Sequence, residues 1–96
     1  MRDLNEIRSD IESIDKEMAG LFEKRMKCSV EIADYKSANG IPIFDPEREK
    51  ALIKKNEAYI DDEDIRPYYI KFMQDIMDIS KLYQHKLIDE KKTGRS

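Results

Sequence analysis

Arg25 and Lys36 are the first residues in this 96-residue chain whose type and spacing point to chemistry. They stand eleven positions apart in a stretch, residues 3–36, that reads as one helix. Eleven positions turn a helix through about 1100°, so the two lie within about 20° of each other, about 16 Å apart along the axis. Ser29 and Ile32 occupy the face between them. The result is a notch with a cation at each end, whose long side chains can converge on an anion. Arginine suits carboxylates because its planar fork binds them bidentately, whereas lysine brings a movable point charge. The ordinary alternative for any single Lys or Arg is a solvated helix face. Arg25 resists it, because it stands where an apolar seam should continue.

Other polar residues can join that notch. Asp45, Arg48 and Glu49 cluster at the start of a second helix. Asp45 has a structural alternative as an N-cap. Arg48 is harder to explain that way, since a cation in a first turn opposes the helix dipole. Ser80 and Gln84 are one turn apart on a third helix and face the same way. They read either as neutral donors on the far wall of a pocket or as polar core residues bonded across helices. Arg8 lies seventeen positions from Arg25, about 26 Å along the same rod. No small ligand can touch both from one chain, so a functional Arg8 must serve a site in a partner subunit.

What is missing narrows the chemistry. His85 is the only histidine and reads as solvent-facing on a charged helix. The sequence holds no Cys–His or Ser–His–Asp set, no glycine-rich phosphate loop and no cluster of metal ligands. A pocket rich in cations and neutral donors, and poor in nucleophiles and bases, would act by holding a polyanion in a reactive shape. It would stabilise charge that develops in the transition state and would need no covalent step.

The element that must position these residues is the first helix. Its apolar seam runs Leu4, Ile7, Ile11, Ile14, Met18 and Leu21, is broken at Arg25, and resumes at Cys28, Ile32 and Tyr35. Cys28, as a seam residue, is expected to be a small core side chain. Such a helix is about 50 Å long, whereas a compact domain of this size has a radius of gyration of about 12 to 13 Å. Sixty further residues do not cover that rod, so the chain is expected to pair with a second copy of itself. Antiparallel pairing would carry Arg8 of one chain toward the Arg25–Lys36 region of the other.

The rest of the chain reads as all-α. The first helix stops near Ser37-Ala38-Asn39-Gly40, and Pro42 bars its continuation. Asp45-Pro46-Glu47 is a strong start for a short middle helix that runs to about Glu57. The acidic link Asp61-Asp62-Glu63-Asp64 caps a long third helix with Pro67 in its first turn. That helix is expected to reach about Asp89, with an apolar stripe through Tyr69, Phe72, Met73, Ile76, Ile79, Tyr83 and Leu87 and a frayed polar tail over residues 90–96. The whole, residues 1–96, is one domain. Charged residues make up 41% of it, and with three Gly and three Pro that suits helices better than sheet. The net charge of −3 and the absence of a long basic run argue against a general nucleic-acid binder. A single cysteine excludes an internal disulfide. With no leader and no apolar run of membrane-spanning length, a cytoplasmic protein without a membrane partner is expected.

These residues resemble the all-helical class of chorismate mutases over roughly residues 3–88. The most specific part is Ile43-Phe44-Asp45-Pro46-Glu47-Arg48-Glu49, following Lys36 and the Gly40-to-Pro42 link. Leu4 through Asp15, with Ile7-Arg8 and Ile14-Asp15, is similar to the family's opening, and Ser80 and Gln84 recur four apart as in its third helix. The resemblance implies an intertwined homodimer of three-helix chains with two sites, each built from both subunits. It implies the substrate chorismate, a dicarboxylate, rearranged pericyclically to prephenate in aromatic amino acid biosynthesis without a cofactor. It further implies that Arg25 and the partner chain's copy of Arg8 bind the two carboxylates, with Ser80 assisting. Lys36 and Gln84 would hydrogen-bond the ether oxygen as its bond breaks. Glu49, with Asp45 and Arg48 nearby, would hold the ring hydroxyl.

Two other readings compete. A lyase splitting isochorismate into salicylate and pyruvate shares the scaffold and also wants cations and a donor at an ether oxygen. A helical dimerisation module without activity would account for the seam alone, but it would gain by making Arg25, Ser80 and Gln84 apolar.

Overall fold

The computed structural model describes residues 1–92 and contains three α-helices and no strand among them. Helix α1 spans Leu4–Ala38, α2 spans Pro46–Glu57 and α3 spans Arg66–Lys92. Local chemistry sets their ends. The Asp3 carboxylate caps α1 by accepting the Asn5 N–H. At the other end Asn39 terminates the helix, and Gly40 follows with a φ of 65°, a conformation that costs glycine nothing and other residues about 1 kcal/mol or more. Asp45 caps α2 by accepting the Arg48 N–H, with Pro46 at the first helical position. Ahead of α3, the Asp62 carboxylate accepts the Asp64 N–H and the Asp62 carbonyl accepts the Arg66 N–H. Helix α3 continues through 90–92, beyond the expected end at Asp89, and Lys91 pairs with Asp34 of α1 at 2.6 Å. The remainder of the expected polar tail, 93–96, lies outside the described residues.

The molecule is a rod. Its extents are 57 × 29 × 14 Å and its radius of gyration is 17.1 Å, well above the value of about 12 to 13 Å for a compact domain of this length. Helix α3 packs on one side against the C-terminal half of α1 and on another against α2. The buried apolar residues are few: Ala33, Ile43, Met73 and Met77, with the polar Ser29, Ser80 and Gln84 buried beside them. Ser29 and Ala33 are one turn apart on α1, and their small side chains allow the α3 backbone to come close.

Burial departs from the apolar patterns of the sequence at two places. The face that α3 buries runs through Met73, Met77, Ser80 and Gln84, whereas Phe72, Ile79 and Tyr83 of the apolar stripe are exposed. Cys28, expected in the core from its seam position, is exposed as well. One physical cause underlies both. Within a single chain, α1 turns Ser29 and Ala33 toward α3, about one residue off its own seam, so the seam itself stays open. Leu4, Ile7, Ile11, Ile14, Met18, Leu21, Ile32 and Tyr35 are all exposed. A contiguous apolar strip of this kind marks an interaction surface. A second groove, about 500 Å³ and lined by Met18, Leu21, Phe22, Phe72, Ile76 and Ile79, lies between α1 and α3 and continues that strip.

Candidate active site

The three helices and the 39–45 link enclose a cleft of about 340 Å³, within the range of small-molecule sites. Seven of the eight residues singled out from the sequence line it: Arg25 and Lys36 from α1, Asp45 at the start of α2, Arg48 and Glu49 within it, and Ser80 and Gln84 from α3. Arg8 does not. It is exposed on the far half of α1 and reaches no part of its own chain's cleft.

Each wall is built from local bonds. The Arg25 guanidinium donates to Ser80 Oγ at 3.0 Å, so the cation that breaks the α1 seam is steered sideways onto α3. Ser29 closes the floor by donating back to the Arg25 carbonyl at 3.2 Å. Gln84 is buried, and its amide nitrogen donates to the Ser29 carbonyl at 2.8 Å. An amide nitrogen carries two hydrogens, so one donor is spent on holding the side chain and one remains. Lys36 ties down the link after α1: its Nζ donates to the Ile43 carbonyl at 3.1 Å, while its own carbonyl accepts the Ile41 N–H at 2.8 Å. Two of the three ammonium hydrogens are left for a ligand.

Charge decides what the cleft can hold. Four cations line it (Arg25, Lys36, Arg48 and Lys81) against two carboxylates (Asp45 and Glu49), a surplus of two positive charges in a chain whose net charge is −3. Among the described residues, Arg25, Lys36 and Arg48 make no ion pair. Half-buried cations without a counter-charge on Arg25 and Lys36 are costly in the empty protein, and an anionic ligand would relieve that cost. Cys28 also lines the cleft, but His85, the only histidine, is exposed and absent from its lining.

Lys81 was not foreseen. A lysine beside Ser80 on a charged helix looks like a solvated residue, and its surroundings come from elsewhere in the chain. Its Nζ is 2.7 Å from Glu49 Oε2 and 3.4 Å from Asp78 Oδ1. It also sits 4.4 Å from the centroid of the Phe44 ring. The hydrogen bond to Glu49 is the chief cause that raises the Lys81 pKa above the ordinary 10.5, with the charges of Glu49 and Asp78 adding to it and desolvation opposing.

Fold, cleft and charge describe an all-helical protein with a cationic cleft set between three helices. The sequence profile of the family described as chorismate mutase type II matches residues 7–85. The chain belongs to that family. It is 31% identical over 88 residues to the chorismate mutase of Methanocaldococcus jannaschii, covering 91% of this chain and 89% of that protein. It is 38% identical over 89 residues to a bifunctional chorismate mutase/prephenate dehydratase of Buchnera aphidicola, covering 92% of this chain and 23% of that protein. It is also 39% identical over 54 residues to a T-protein of Haemophilus influenzae, covering 56% of this chain and 14% of that protein. The chain thus spans less than a quarter of the length of these last two relatives. No solved structure matches significantly. Among the described residues, no helix is long and apolar enough to cross a membrane.

Proposed function

We propose that this chain is a chorismate mutase, catalysing the cofactor-free rearrangement of chorismate to prephenate in aromatic amino acid biosynthesis, in the cytoplasm. The observation that carries this is a cleft faced by three cations that make no ion pair among the described residues, together with Ser80 and the neutral donor Gln84. A dicarboxylate needs the cations. A breaking ether bond needs donors aimed at the oxygen on which negative charge grows, and such donors act best when fixed in advance. Arg25, held on Ser80, binds one carboxylate. Lys36 and Gln84, each anchored by one backbone carbonyl and each with a donor to spare, bond the ether oxygen. Glu49 accepts the ring hydroxyl, with Asp45 and Arg48 at the same rim. The rearrangement moves electrons within one substrate molecule. The protein's task is then to select the folded conformer and to stabilise charge in the transition state.

The second carboxylate falls to Arg8 of a partner subunit. The open seam from Leu4 to Leu21 and the groove continuing it between α1 and α3 support a homodimer, because a second copy can cover both and carry its Arg8 to the cleft. The test is the loss of chorismate's ultraviolet absorbance on adding protein, with the product identified chemically and Arg8→Ala run alongside. Prephenate formation that is lost in Arg8→Ala is the expected result. No turnover, or salicylate and pyruvate from isochorismate instead, would overturn the reading.

A further inference from the structure

Lys81 stands in the cleft wall, yet none of the roles above uses it. It is the meeting point of three elements: its ammonium bonds Glu49 of α2 at 2.7 Å, lies 4.4 Å from the ring centroid of Phe44 in the link, and is carried by α3. The side chains of Lys81 and Glu49 are only 22% and 17% exposed, unlike the freely solvated ion pairs that contribute little. Gln74 approaches the other Glu49 oxygen, Oε1, at 3.4 Å. A carboxylate has about four lone-pair positions, so these two donors orient Glu49 without exhausting it.

Glu49 presents a difficulty for the function proposed above. A bare carboxylate in the cleft repels a dianionic substrate, although its acceptor oxygens are wanted for a hydroxyl. We propose that Lys81 is a positioning residue that resolves this, cancelling the charge of Glu49 and fixing its rotamer so that the carboxylate accepts the substrate hydroxyl without repelling the substrate's own carboxylates. Phe44 and Asp78 also contact the lysine ammonium. The inference rests on chorismate being the substrate.

The test is a double-mutant cycle on chorismate turnover with Lys81→Met, Glu49→Gln and the pair, and with Lys81→Arg as the conservative variant. Lys81→Met should raise KM about tenfold while kcat changes by less than about threefold, because the lost term opposes ground state and transition state alike. In the Glu49→Gln background, where there is no charge to cancel, the same change should alter KM by less than about twofold. Lys81→Arg should restore KM to within about threefold of wild type. Should Lys81→Met fail to fold by circular dichroism, Lys81→Gln is read in its place. Equal losses in both backgrounds, or a KM unmoved by removing the lysine, would overturn the role of Lys81 while leaving the mutase reading intact. An inactive wild-type chain would overturn both.

Discussion

At the scale of single residues, Lys36 and Gln84 share a design. Each spends one hydrogen on a backbone carbonyl, Ile43 or Ser29, and keeps the rest for a ligand. If they bond the ether oxygen, their contribution appears in the transition state more than in binding. Lys36→Ala should then lower kcat by the equivalent of about 3 to 4 kcal/mol with a small change in KM, as for removal of an oxyanion donor; steady-state kinetics on chorismate checks this. Gln84 is a neutral amide and donates regardless of pH. Activity should therefore stay roughly level between about pH 6 and 8, with no steep rise on acidification; a pH–rate profile with a sharp acid optimum would contradict the assignment. Residues of this kind were legible in the sequence where their meaning was local. Asp45 announced itself through Pro46 and Glu47, and Arg25 through the seam it interrupts. Lys81 was not legible, because its partners, Glu49 and Phe44, stand 32 and 37 positions away and only the packing of α2 and the link on α3 brings them together. Cys28 was misjudged for a related reason: seam periodicity says which residues share a face, not whether anything in the same chain covers it.

At the scale of elements, the C-terminal end of α1 and the start of α2 could be read from caps and breakers, whereas the end of α2 carries no clear stop signal. The buried side of α3 could not be read in this way. Ser80 and Gln84 read from the sequence either as pocket donors or as polar core residues, and their bonds to Arg25 and Ser29 allow them to be buried. The close contact they make depends on small residues of α1. Ala33 is 1% exposed, and Ala33→Leu should destabilise the fold by about 1 to 3 kcal/mol through overpacking, measured by urea unfolding. The Lys81–Glu49 pair ties α2 to α3 and carries a pH signature. Because folding raises the Lys81 pKa, its stabilisation is fully present below the unfolded value of 10.5 and is lost as pH climbs through the folded one. The difference in melting temperature between wild type and Lys81→Met should therefore be constant from neutral pH to about pH 9.5 and shrink above about pH 10.5. A difference that persisted undiminished at the alkaline end would show that the lysine stabilises by packing alone.

At the scale of the whole molecule, the rod shape and the uncovered seam of α1 were foreseeable from length alone: the other 61 residues cannot wrap a helix of 35. A homodimer with sites shared across the interface makes a sharp prediction. Arg8→Ala and Arg25→Ala should each be nearly inactive. Refolded together in equal amounts they should recover about a quarter of wild-type activity, since half the dimers are mixed and each mixed dimer holds one intact site. Assay of the two variants before and after joint refolding decides it, and no recovery would place Arg8 and Arg25 in the same chain's site or remove Arg8 from it.

The bare apolar strip of α1 has a further consequence, for how such a catalyst responds to its own abundance. If the strip is covered only by another copy, association and folding are one equilibrium governed by mass action. Specific activity would then fall on dilution, and a newly made chain would remain idle until it met a second. Output would rise faster than in proportion to synthesis at low expression. The same hydrophobic stripe that completes the site would also make the catalyst count its own copies.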